Sequence, residues 1–259
     1  MTPTFDNKLI KEKYGVNAFV LKVIAMAAML IDHIGAAILE YHPAVMYNSK
    51  QSLILMDYLL RGIGRLAFPI FAFLIVEGFF KTKNVLKYSL RLFIFALISE
   101  VPFDMAVFNK VVDIKHQNVF FTLLLGLISI MMADRIRPLF KQKKVAKPVE
   151  TLVCYLIALF YGFVALLLNT DYSVFGVLII FTFYYFNDKK SKCYFINFIF
   201  ILCFGMLELF AVPDVILFSL YNGKHGKALD KKQVRIGFYA FYPMSFLILW
   251  ALRRYVFKY

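Results

Sequence analysis

Acidic residues are scarce. Only 16 Asp and Glu stand against 30 Lys and Arg, and charged residues of both signs fill 18% of the 259 positions. Soluble domains carry roughly 25% charged and 45–50% apolar residues, so this chain lacks the polar surface that a water-soluble fold needs. Cysteine is limited to Cys154, Cys193 and Cys203, an odd number with no CxxC pair. All three lie in or near apolar segments, which supports neither a disulfide framework nor a metal site and leaves them as buried bystanders. No internal repeat, low-complexity tract or long linker is present, so residues 1–259 read as a single membrane domain.

What fills the chain instead is apolar: 61% hydrophobic residues, 30 of them Phe, with a mean hydropathy of +0.71. Apolar runs of about 17–25 residues, each long enough to cross a bilayer as a helix, recur along the whole length. The periodicity predicts spans at 18–40, 54–80, 86–108, 119–138, 149–169, 173–187, 193–211, 213–222 and 236–257. The sixth and eighth are short for a crossing, so the expected fold is all-α, a polytopic transmembrane helical bundle of about eight or nine spans. The basic opening KLIKEKYGVNA leads into an apolar run too long for a signal-peptide core, and it reads as a retained first span.

The net charge of +14 does not point to nucleic acid, because the cations fall in alternate loops. Twenty Lys and Arg lie in the odd-numbered candidate loops, among them RIRPLFKQKKVAK and NGKHGKALDKKQVR, against six on the opposite side. Under the positive-inside rule this places the N-terminus in the cytoplasm, in an inner-membrane, multi-pass protein surrounded by lipid.

Charge inside the spans is the functional signal. A charged side chain at the centre of a membrane helix costs about 2.5–3.5 kcal/mol on insertion scales. Asp32, Arg61, Arg65, Glu77, Arg91 and Glu100 all fall within predicted spans. Unpaired, they would oppose insertion by something on the order of 15 kcal/mol, so they must meet partners or a wet cavity. In DYLLRGIGRLAFPIFAFLIVEGFF, Asp57, Arg61 and Arg65 form one stripe at i, i+4, i+8. Gly62 and Gly64 permit close approach, and Pro69 leaves the Arg65 carbonyl without its helical donor, predicting a break. Two readings of the arginines stand side by side: a clamp for phosphate or carboxylate, or ion pairs with Asp32 or Glu100 that hold the bundle together.

In the third span Glu100 and Asp104 share a face across Pro102, while Arg91 faces elsewhere. HQNVFFTL puts Asn118 and Thr122 on one face, suited to orienting a carbonyl or to hydrogen bonding between helices. Asp171 reads as a helix N-cap, and Glu208 has no role assigned. His33 is the sole histidine well inside a predicted span. A buried imidazole can accept a proton from an attacking amine or hydroxyl, or serve as a hydrogen-bonded structural residue. Asp32 cannot face it directly, since neighbouring helix residues diverge by about 100°. Glu100 or Asp104 is the carboxylate expected to orient the ring.

The set LIDHIG, RGIGRLAFPIFAFLIVEGF, YSLRLFIFALISEVPFD, HQNVFFTL, YNGKHG and FYAFYP resembles the TraX family from about residue 20 to the C-terminus. These are bacterial membrane proteins named for acetylation of the pilin N-terminus, related to the acyltransferase-3 and heparan glucosaminide N-acetyltransferase groups. The resemblance implies an acetyl-CoA-dependent N- or O-acetyltransferase acting on a surface acceptor, either a pilin-like peptide or a glycan. It implies His33 as general base with Asp32 beside it, and Arg61, Arg65, Asn118 and Lys224 toward acetyl-CoA. Glu100, Asp104 and Arg91 would then bind or orient the acceptor. No metal and no nucleic acid enter this reading, and a homo-oligomer is compatible with it. One departure stands out: the run is FYPMS, with Ser245 where the family commonly carries a histidine. Two other classes remain open, a secondary transporter that moves a proton or anion past the buried charges and a non-enzymatic factor for surface assembly.

Overall fold

The first helix begins where a side chain can satisfy it. Asn17 adopts extended backbone and its Oδ1 accepts from Val20 N at 3.1 Å, an N-cap that satisfies one of the helix's orphan donors. From there α1 runs Ala18–Ile34 and widens into a π-turn over Gly35–Leu39. The computed structural model describes residues 15–189, 193–199 and 205–258. Beyond α1 lie the short α2 (Pro43–Met46), α3 (Gln51–Gly64), α4 (Ala67–Lys81) and α5 (Val85–Val107). They are followed by α6 (Val119–Gln142), α7 (Lys147–Leu167) and α8 (Ser173–Tyr185). A helical turn at 193–199 is α9, α10 is Asp214–Leu220 and α11 is Lys232–Ala251, continued by a π-turn over Leu252–Phe257.

The chain is an all-α bundle, as the apolar periodicity predicts, but with fewer crossings. Among the described residues five helical stretches are long and apolar enough to span a bilayer: Ala18–Leu39, Gln51–Lys81, Val119–Gln142, Lys147–Leu167 and Lys232–Phe257. The expected eight or nine is therefore corrected to five. The helix α5 has the length, 23 residues, but Arg91, Glu100 and Asp104 interrupt its apolar character. The 13 residues of α8 rise only about 20 Å, short of a hydrocarbon core of about 30 Å. Residues 200–204 of the predicted seventh span lie outside the described residues; its described parts are α9 and a 3₁₀ turn over Met206–Ala211, and the eighth span shrinks to the seven residues of α10.

Between α3 and α4 the chain breaks at Arg65 and Leu66. Pro69 has no N–H to give the Arg65 carbonyl, and the interruption falls where that missing bond predicts it. Pro102 and Pro243 sit inside α5 and α11 without ending either helix.

The two ends of the bundle are tied differently. At the end where α1 begins, Val16 N donates to Leu220 O at 3.1 Å and Ala18 N to Lys224 O at 2.9 Å. There Lys81 Nζ donates to the Tyr221 hydroxyl and the Gly223 carbonyl, both at 2.8 Å. At the opposite end Arg253, 2% exposed, donates to the carbonyls of Ala37, Ala106 and Met105 at 3.0, 2.8 and 3.0 Å. One guanidinium thus closes the ends of α1 and α5, whose last carbonyls have no intrahelical donor.

Candidate functional site

Near that second end, α1, α3, α4, α6, α11 and the segment 166–173 enclose a cavity of about 480 Å³. Its wall includes Asp32, His33, Arg61, Arg65, Tyr172 and Tyr242. Four of the residues expected at the site, the adjacent acid and imidazole and both arginines, therefore share one chamber.

The ring of His33 is held on three sides. It stacks on Phe246 with centroids 3.8 Å apart and meets Tyr242 edge-on at 5.3 Å. His33 Nδ1 lies 3.0 Å from Ser245 Oγ, and that hydroxyl donates to the Tyr242 carbonyl at 2.8 Å. A serine has one hydrogen to give. With it committed to Tyr242, Ser245 Oγ accepts from Nδ1–H, which leaves Nε2 as the unprotonated nitrogen of the ring. The expected carboxylate partner is absent from this contact. Glu100 and Asp104 lie on α5 and make other bonds, and a hydroxyl from α11 orients the imidazole instead.

Asp32 points away from His33 and binds both arginines: Arg61 Nη1 donates to Oδ2 at 2.6 Å and Arg65 Nη2 to Oδ1 at 3.1 Å. The pairing extends outward. Arg61 Nε reaches Glu40 Oε1 at 3.2 Å, while Arg65 Nη1 donates to Glu208 Oε1 at 3.2 Å and to the Tyr172 hydroxyl at 3.3 Å. Glu208, left without a role by the sequence, is thus the counter-charge of Arg65. Two cations face three carboxylates, so the pairing reading of the arginines describes what they do here. The arrangement requires glycine at 64, where a Cβ would run into the Asp32 side chain, and at Gly62 one would meet the Phe210 ring at 3.0 Å. Across the cavity Tyr172 takes a left-handed φ of 61° and stacks on Phe68 at 3.8 Å. Left-handed backbone in a bulky residue costs on the order of 1–3 kcal/mol.

The other expected residues are placed elsewhere. Asn118 is fully buried and caps α6. Its Oδ1 accepts from Phe120 N at 3.0 Å, and its Nδ2 donates to Ala96 O at 2.8 Å and to Glu100 Oε2. Asp104 Oδ2 accepts from Asp113 N at 2.6 Å, in the loop after α5. Thr122 Oγ1 donates to the Asp171 carbonyl and accepts from Thr170 Oγ1 at 2.9 Å, tying α6 to the segment between α7 and α8. Asp171 does not cap α8; Tyr172 occupies the N-cap position and makes no side-chain cap bond. Arg91 sits over the Tyr88 ring at 5.6 Å, nine residues before Glu100 on α5. Lys224 lies beside the start of α1, about 24 Å along that helix from His33.

Comparison with known proteins places the chain. The family model described as TraX protein matches residues 18–253. This chain belongs to the TraX family. It is also 27% identical over 254 residues to the probable fimbrial assembly protein FimC, serogroup H1, of Dichelobacter nodosus, covering 90% of this chain and 94% of that one. No solved structure matches. Of the motifs that carry the resemblance, LIDHIG, RGIGRLAFP, HQNVFFTL and FYAFYP each put residues in the cavity wall, whereas YNGKHG lies at the far end.

Proposed function

We propose that this TraX protein is an inner-membrane acetyltransferase, N-terminus in the cytoplasm, that moves an acetyl group from acetyl-CoA to an amine or hydroxyl on a surface acceptor, a pilin-like peptide or a glycan. The observation that carries the reading is the His33–Ser245 contact. With the Ser245 hydrogen given to Tyr242, the contact supports Nδ1 as the donor and Nε2 as the base, and His33 lines a cavity with room for a reacting group. Family membership and the fimbrial name of the Dichelobacter relative support a pilus-related acceptor.

In the proposed reaction the acceptor nitrogen or oxygen attacks the thioester carbonyl carbon and His33 Nε2 takes the acceptor's proton. The carbon–sulfur bond then breaks and the proton passes to the departing thiolate, which leaves coenzyme A as the free thiol and His33 neutral again. General base catalysis of this kind is worth about 10²–10⁴ in rate. Asp32, Arg61, Arg65 and Glu208 hold the α1–α3 wall rigid around the base, which is how a buried charge network stabilises a site.

The test is mass spectrometry of surface pili and glycans from cells with and without the gene. Loss of an acetyl group in the deleted strain supports transfer. Unchanged acetylation with lost or misassembled pili would instead favour an assembly factor without catalysis.

A further inference from the structure

At the end of the bundle where α1 begins, three cations converge from three helices. Lys22 of α1 sits half-buried with its Nζ 5.3 Å from the ring of Phe238, which lies about one turn after Arg235 on α11. Arg235 of α11 is held by the carbonyls of Leu229 and Asp230, to which Nη1 donates at 3.1 and 3.3 Å. Those bonds leave the rest of its guanidinium fork open. Arg91 of α5 lies over Tyr88, one turn before Phe95, whose ring stacks on Tyr239 of α11 at 5.0 Å. Phe238 and Tyr239 are the aromatic floor that joins the three.

Among the described residues this cluster meets no counter-charge. Arg61, Arg65 and Arg137 each meet a carboxylate, and Arg253 meets carbonyls. Among the described residues, Lys22, Arg91 and Arg235 form no ion pair with any acid. Lys22 is half-buried, while Arg91 and Arg235 are exposed; cations gathered around one aromatic surface raise one another's energy, and an anion seated among them lowers it. Two guanidinium forks and an ammonium suit the several oxygens of a phosphate.

We propose that Lys22, Arg91 and Arg235 form a phosphate-binding site. Two sources carry that chemistry here: the nucleotide phosphates of coenzyme A, or the headgroup of an anionic phospholipid. The first source rests on the acetyl-transfer reading and suits its geometry. Lys22 and His33 are eleven residues apart on α1, about 16 Å along the axis, a distance comparable to the extended pantetheine arm that separates the phosphates from the thioester. The nucleotide would then lie beside the loop 221–226, and the thioester in the His33 cavity.

The experiment uses the full chain in nanodiscs. Coenzyme A binding is measured by calorimetry in neutral lipid, and retention of phosphatidylglycerol by native mass spectrometry from mixed lipid. Lys22→Gln, Arg91→Gln and Arg235→Gln are compared with the parent and with Lys115→Gln, which lies at the other end. Each of the three variants should lower affinity for the bound phosphate at least about tenfold, the value of one charge-assisted hydrogen bond, and Arg91→Lys should keep most of it. Loss of coenzyme A binding with lipid retention intact assigns the donor, whereas the reverse pattern assigns the lipid. A parent protein that retains phosphatidylglycerol at this cluster but binds no coenzyme A defeats acetyl transfer and leaves the phosphate site standing. If all three variants fold with the parent's unfolding temperature and change neither ligand, the site is overturned.

Discussion

Ser245 Oγ stands 3.0 Å from His33 Nδ1 and passes its own hydrogen to the Tyr242 carbonyl, so a residue of α11 sets which nitrogen of an α1 imidazole carries the proton. Removing that hydroxyl with Ser245→Ala should free the tautomer and the ring together. One hydrogen bond is worth about 1 kcal/mol, so kcat for acetyl transfer should fall about fivefold to tenfold with KM little changed. Ser245→Thr should restore it. Steady-state kinetics on the two variants check the point, and a KM effect without a kcat effect would move Ser245 out of this role.

Arg65 joins Asp32 of α1 to Glu208 of the Met206–Ala211 turn. The side chains of Arg65 and Glu208 are only 11% and 8% exposed, and breaking such a pair strands a buried charge at a cost of about 3–5 kcal/mol. Arg65→Met should therefore lower the unfolding temperature sharply. Arg65→Met combined with Glu208→Gln should be less harmful than the single change. Arg65→Lys should rescue poorly, because an ammonium cannot reproduce the forked contacts.

Arg253 is a structural prediction of a different kind. It donates to three carbonyls from the ends of α1 and α5, with its guanidinium 3.8 Å from the centre of the Tyr41 ring. Arg253→Ala should destabilise the protein by about 2–3 kcal/mol, and exchange of the amides at the ends of those two helices should accelerate. An unfolding temperature within error of the parent's would show that the helix ends close without it.

The loop after α5 should respond to acid. Asp113 accepts from Lys110 Nζ at 2.8 Å and from Lys115 N at 3.0 Å, and the Lys110 hydrogen bond holds its carboxyl below the usual carboxylate range. A folded value below the unfolded one means the stabilisation is fully present above the unfolded pKa and is lost as pH falls through the folded pKa. Protection of amides 110–116, measured against the unstructured rate at each pH, should be present at neutral pH and lost only in strong acid. Asp113→Asn should remove the dependence.

Much of this was legible in the sequence, and the misses have physical causes. The break at Arg65 follows from one absent N–H at Pro69, a local effect that needs no tertiary information. The need for buried charges to pair pointed to Asp32, Arg61 and Arg65, and the same reasoning applied to Glu208 would have asked for a cation across the bundle. What spacing cannot supply is which distant element completes a site. Ser245 is 212 residues from His33, and its role depends on how α11 docks against α1. The span count was overestimated because hydropathy registers apolar length without distinguishing a crossing helix from short pieces such as α8 and α10. Spacing left Asn118 two uses, orienting a carbonyl or bonding between helices; the structure makes it the cap of α6, with its oxygen on Phe120 N and its amide on Ala96 and Glu100 of α5.

The most direct measurement of the central claim is acetyl transfer by the purified protein in proteoliposomes, from labelled acetyl-CoA to an acceptor peptide or glycan, comparing the parent with His33→Gln. The account predicts a fall of about 10²–10⁴ in transfer rate with unfolding temperature and coenzyme A binding retained. Transfer at the parent rate in a folded His33→Gln protein would contradict it.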